Sequence, residues 1–147
     1  MTGQIMAGSL ILGVCSALHI AVLVLATFFL QWLNSKITCL GEKLGTAFLL
    51  GIAFSAVVVG HTIQVWLWAG AFIWVGALPA LSDALYFSLV TYTTLGYGDI
   101  TIGPQSRIFG AMSAVTGLLN FGLSTAFLVE TARSPSPSET KKAVDSA

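Results

Sequence analysis

Thr93-Thr94-Leu95-Gly96-Tyr97-Gly98-Asp99 is the stretch on which the reading of this chain turns. It sets two glycines two residues apart, each able to take a left-handed backbone conformation without a Cβ penalty, beside two hydroxyls and a carboxylate. Upstream lies a short segment, residues 82–93, too short to cross a bilayer. Ser82 suits the N-cap of a helix there, Asp83 suits its first turn, and Pro79 precedes it. Downstream, Ile100 to Pro104 leads into another apolar run. Irregular backbone between two such runs is tolerated at membrane depth only where it is buried in protein or lines a water-filled path. The stretch therefore reads as the return arm of a re-entrant hairpin. The competing reading of these residues is an extracellular turn with an interfacial Tyr97.

The flanking runs are identified by charge. Of 147 residues, 56% are hydrophobic and 8% charged, with six Lys and Arg balanced by six Asp and Glu. An average soluble domain is about a quarter charged. No Asp, Glu, Lys or Arg occurs from Met1 to Ser35, from Leu44 to Ser82, or from Ile108 to Val129. Each gap exceeds the ~20 residues a spanning helix needs. This pattern excludes a soluble enzyme and a disordered chain, and the lack of a basic face excludes nucleic-acid binding. The expectation is an all-α membrane protein with spans near residues 5–32, 45–75 and 105–130. The middle gap is longer than one crossing: a helix over 45–75 would be about 45 Å long. Trp66, Trp68 and Trp74 suit an aromatic belt at its outer end, and Gly76 and Pro79 suit its termination.

The resulting division is an N-terminal transmembrane helix at 1–34, a cytoplasmic loop at 35–44, a hairpin-bearing domain at 45–130 and a disordered cytoplasmic tail at 131–147, with no internal repeat. The N-terminus lacks the positive region of a signal peptide, so the first span is read as retained. Basic residues cluster in the 35–44 loop and in the tail. The positive-inside rule then puts both in the cytoplasm and the N-terminus outside, in a plasma or inner membrane. Cys15 in the first span and Cys39 in the loop are read as free thiols, since the bilayer separates them.

The Thr94-Leu95-Gly96-Tyr97-Gly98 segment, with Asp99 after it and a short helix before it, resembles the selectivity filter of potassium channels. The resemblance covers residues 45–130. It implies an outer helix, pore helix, filter and inner helix, assembled as a homotetramer around one axis and passing K+ passively across the lipid bilayer. It further implies that K+ is coordinated by the carbonyls of Thr94, Leu95, Gly96 and Tyr97 with the Thr94 hydroxyl, and that Gly98 completes the filter. The resemblance implies no enzyme activity and no cofactor beyond bound K+ ions. Asp99 stands at the outer mouth. In the last span Gly117 matches the glycine that acts as a gating hinge, with close helix packing as the competing reading. Leu118, Phe121, Thr125 and Val129 match cavity-lining positions. Tyr86 and Phe87 stand where many members carry two aromatics around the filter. Departures are specific: Leu95 replaces the commoner Val or Ile, and Val90 stands where some bacterial members carry a Glu that pairs with the filter Asp. Asp99 must then find another partner, such as Tyr86, or stay solvated.

The remaining polar residues carry weaker signals. No span holds the regularly spaced arginines of a voltage sensor. His19 and His61, each mid-span, are expected to hydrogen-bond a neighbouring helix, His61 near Gln64, and Asn120 to bond the pore helix. Glu130 is placed at the cytoplasmic mouth. Two alternatives to a conducting channel stand beside the main reading. One is a non-conducting subunit of the same fold that assembles with another channel, which leaves room for an unidentified regulatory subunit. The other is a haem or electron-carrying membrane protein using His19 and His61.

Overall fold

The computed structural model describes residues 2–37 and 42–133. Four helices follow in order: α1 (Thr2–Lys36), α2 (Glu42–Trp74), α3 (Leu81–Tyr92) and α4 (Arg107–Arg133). No strand occurs among the described residues. The helices α1, α2 and α4 are long and apolar enough to cross a membrane, which makes the chain an all-α, multi-pass membrane protein. At 12 residues, α3 is only about 18 Å long and cannot cross. The expected spans are recovered with ends shifted by a few residues. Cys39 and the tail beyond Arg133 lie outside the described residues.

The helix ends follow from local chemistry. Gly76 takes a positive φ of 70°. Its N–H bonds the Ile73 carbonyl at 3.0 Å, and the Ala77 N–H bonds the Phe72 carbonyl at 3.0 Å, a Schellman termination that satisfies the last carbonyls of α2. The start of α3 departs from expectation. Its cap is Ala80, in an extended conformation and without a side-chain cap bond. Ser82 lies inside the first turn, where its hydroxyl is 3.4 Å from the Asp83 carboxylate. The helix begins directly after Pro79-Ala80, two residues earlier than a Ser82 cap requires.

The chain divides into two compact units. The first comprises Met1–His19 and Gly60–Gly122. Its core gathers Cys15 of α1, Val65, Trp68 and Phe72 of α2, Ala84 and Tyr92 of α3, Ile102 and Phe109. Edge-to-face rings hold this core: Trp68 and Phe72 lie 5.3 Å and 5.7 Å from Phe109, and Phe72 lies 5.0 Å from Phe87, geometries that aromatic quadrupoles favour. Trp68 is fully buried, whereas Trp66 and Trp74 are exposed. Trp68 is therefore a core residue rather than part of an aromatic belt.

The second unit comprises Ile20–Val59 and Leu123–Ala147. Leu23, Leu30, Ala53 and Val57 are its buried apolar residues. Its hydroxyls turn back onto their own helices: Thr27 donates to the Leu23 carbonyl, Ser55 to Gly51 and Thr131 to Phe127. Such i−4 bonds satisfy hydroxyls in an apolar helix without a partner from another element.

Candidate functional site: the 93–99 loop and its support

The loop hangs from the C-terminal end of α3. Thr93 closes the helix, its N–H bonded to the Leu89 carbonyl at 3.1 Å and its hydroxyl to the same carbonyl at 2.8 Å. The Thr94 N–H bonds Thr91 at 2.9 Å. The Leu95 and Gly96 N–H groups share the Val90 carbonyl at 2.9 Å and 3.2 Å. Four consecutive N–H donors are thus turned back into the helix, and the backbone leaves it as an irregular loop.

The backbone of that loop alternates. Positive φ occurs at Thr94 (61°), Gly96 (57°) and Gly98 (79°), every second residue. Gly96 and Gly98 behave as their residue type suggests. Thr94 does not, because a β-branched residue in this region carries a real steric cost. No residue-type signal marks it; only the two-residue rhythm set by the glycines points there. Alternation of right- and left-handed residues is the geometry that turns successive carbonyls toward one side. All seven residues from Thr93 to Asp99 are exposed.

Several contacts hold the loop against the helices. The Tyr86 hydroxyl donates to the Asp99 carboxylate at 2.6 Å, the partner the Val90 substitution calls for. This bond, aided by backbone donors, holds the Asp99 carboxyl below its usual range, against a smaller opposing effect of desolvation. The buried Ser88 hydroxyl ties α3 to the Val65 carbonyl of α2 at 2.7 Å. At the foot of α3, Tyr92 is buried, and its hydroxyl donates to Gln64 Oε1 at 2.7 Å. His61 Nδ1 lies 2.8 Å from the same hydroxyl. Gln64 Nε2 meets His19 Nδ1 of α1 at 2.7 Å, and Asn120 of α4 donates to Gln64 Oε1. Sequence reasoning expected bonds to neighbouring helices but not this joint network, in which Gln64 pairs with His19 and His61 pairs with Tyr92. Asn120 joins the network at Gln64 on α2 and also bonds Tyr92 of α3, the pore helix it was expected to meet.

Gly117 is buried in α4 against the backbone of Tyr92. A Cβ built there falls 1.9 Å from the Tyr92 carbonyl oxygen, so the glycine is required by close approach. Leu118 on the same helix is exposed. Phe121 packs against His61 with ring centroids 4.4 Å apart and against Tyr92 at 5.8 Å. Thr125 and Val129 are exposed positions of α4 in the second unit. Glu130 is exposed as well. Among the described residues, no group of three or more His, Cys, Asp or Glu side chains is placed to hold a metal ion, and His19 and His61 instead pack ring to ring at 4.8 Å.

Comparison with known proteins agrees with this geometry. Residues 47–134, more than half of the chain, match a family described as "Ion channel". A 54-residue segment is 37% identical to "Potassium voltage-gated channel subfamily A member 6" of Homo sapiens, and equally to that of Mus musculus. The segment covers 35% of this chain and 10% of the relative, so the chain spans only about a tenth of the length of the curated relatives it matches. There is no significant match among solved structures. With three apolar helices, a re-entrant helix and a loop of alternating handedness, the chain belongs to the ion channel family and carries a potassium-channel-type pore domain.

Proposed function

We propose that this protein is the subunit of a potassium-selective channel that conducts K+ passively through a tetrameric pore. The observation that carries the proposal is the alternation of handedness at Thr94, Gly96 and Gly98. In a ring of four such loops, the carbonyls of Thr94, Leu95, Gly96 and Tyr97 and the Thr94 hydroxyl replace the hydration shell of K+. One loop supplies a quarter of the ring, so one chain is not a pore. The exposure of residues 93–99 fits a surface that a cyclic homotetramer encloses, with Asp99 at its outer mouth. The C-terminal end of α3 points its negative dipole end at the waiting cation. The lysines of the 35–44 segment and of the tail support a cytoplasmic side for both and an N-terminus outside.

The test is flux through purified protein in liposomes, with K+ or Na+ as the permeant ion. K+ influx well above Na+ influx is the expected result. Equal permeability with Gly96 and Gly98 intact refutes selectivity. A stable monomer or dimer by native mass spectrometry removes the pore geometry.

A further inference from the structure

The polar network behind the loop has a direction. The Tyr92 hydroxyl gives its proton to Gln64 Oε1, so the bond between His61 Nδ1 and the Tyr92 oxygen is donated by His61. Gln64 Oε1 also accepts from Asn120, which fixes the amide with Nε2 facing His19 Nδ1. His19 Nδ1 is therefore the acceptor of that bond, with its proton on Nε2. Donation runs from His61 of α2 to Tyr92 of α3, back to Gln64 of α2 and out to His19 of the first span. Every member is buried or half-buried.

We propose that His19 is a positioning residue for the 93–99 loop, acting through Gln64 and Tyr92 and switched by a proton at Nδ1. The inference rests on the channel reading of that loop. A proton on His19 Nδ1 sets two donors face to face, because Gln64 Nε2 has no lone pair to offer. The relief available is a half-turn of the Gln64 amide, which presents Oε1 to His19 and Nε2 to Tyr92 and Asn120. Asn120 must then turn its own amide to present Oδ1 to Gln64; Tyr92 loses its acceptor, its hydroxyl proton must turn toward His61, and His61 in turn must move its own proton to Nε2. The polarity of the chain reverses. Tyr92 is the last residue of α3, two before Thr94, and its backbone is seated against Gly117, so a change in its hold is passed to the base of the loop.

The surroundings offer a charged His19 little compensation. The other titratable groups facing the pair are His61 from α2, 4.8 Å away ring to ring, Tyr92 from α3, and Cys15 one turn earlier on α1. From α4 come Asn120 and Phe121, neither of which titrates. Asp83 of α3 is in its first turn, at the end opposite Tyr92. No Asp, Glu, Lys or Arg occurs in residues 2–35, 44–82 or 108–129. A protonated His19 is thus met by reorganisation of hydrogen bonds rather than by an ion pair.

The experiment compares wild type with His19→Gln in liposomes between pH 8 and pH 5. Gln supplies a carbonyl acceptor to Gln64 and cannot take up a proton there. Wild-type K+ flux should fall on acidification while the variant stays flat. A flat wild-type profile, or an equal fall in His19→Gln, overturns the proposal. A readout independent of conduction runs beside it: nitrogen-15 NMR of histidine-labelled protein in bilayers, with Tyr92 and Gln64 side-chain signals followed in parallel. The expected result is that Nδ1 of His19 is an unprotonated acceptor at pH 8, and that its protonation moves the Tyr92 and Gln64 signals. A Tyr92 signal that ignores the titration refutes the coupling. Absence of K+ flux at every pH with intact coupling refutes the channel reading instead and leaves the relay standing.

Discussion

Replacing Gly117 by alanine separates two roles for that residue. As a hinge, Gly117 contributes flexibility, and Gly117→Ala lowers open probability in a stable protein. The structure supplies a different expectation. The added methyl lies 1.9 Å from the Tyr92 carbonyl oxygen, 2.9 Å from its carbon and 3.3 Å from Cδ1 of its ring, and must retreat to about the 3.4 Å at which ordinary contact begins. Two of these atoms belong to the backbone of the last turn of α3, which α2 holds through Ser88 and Tyr92. They cannot step aside as a side-chain tip can. Overpacking of this kind costs about 1–3 kcal/mol and occasionally more, against a gain of at most about 1 kcal/mol from the better helix propensity of alanine. Net destabilisation is expected. Two glycines of the same helix are internal controls. A Cβ at Gly122 meets nothing within 4 Å, and the one close neighbour of a Cβ at Gly110 is the tip of Ile102, at 2.7 Å from Cδ1, with Phe87 Cζ at an ordinary 3.6 Å. Thermal unfolding of the purified protein in one detergent, followed by circular dichroism, should rank Gly122→Ala at or above wild type, Gly110→Ala below it and Gly117→Ala lowest. A Gly117→Ala protein as stable as Gly122→Ala refutes the packing argument and returns the residue to the hinge reading.

Gly96→Ala places a Cβ on a residue with φ of 57°, which costs roughly 1–2 kcal/mol; K+ flux in liposomes should collapse while helix content by circular dichroism is retained. Ser88→Ala leaves the buried Val65 carbonyl without its side-chain donor and should destabilise the protein by about 1 kcal/mol in denaturant titration. Tyr86→Phe removes the largest influence holding the Asp99 carboxyl low. Because the folded-state value lies below the ordinary one, this bond contributes above the ordinary carboxylate range and is lost as pH falls through the depressed value. The Asp99 midpoint, followed by carbon-13 NMR, should therefore move up in Tyr86→Phe, and an unmoved midpoint contradicts the assignment.

The parts of the site legible in the sequence are those where residue type alone limits the backbone. Gly96 and Gly98 announce left-handed positions because little else fits them, and Gly76 with Pro79 marks the end of α2. The Tyr86–Asp99 bond is legible for another reason: a missing acid at Val90 leaves a carboxylate in want of a donor. Thr94 carries no such mark, since its conformation is imposed by the Val90 carbonyl, which draws in the two N–H groups that follow. Trp68 shares its composition with Trp66 and Trp74. Only the packing of α2 against Phe109 turns it inward. The His19–Gln64 pair joins residues far apart in sequence. An apolar helix shows that a buried amide needs a partner, but not which helix supplies it.

The Val90 carbonyl has one more consequence. By taking up the Leu95 and Gly96 N–H groups, while Leu89 and Thr91 take up those of Thr93 and Thr94, α3 consumes the positive ends of the first four peptide units. What the proposed pore can then turn toward a passing ion is oxygen. A loop so arranged discriminates by sign before it discriminates by size: along these four units chloride meets no peptide donor, and a cation meets carbonyl acceptors. That polarity is written into the peptide bond directions themselves, which is how the pore we propose chooses between positive and negative with so few charged side chains.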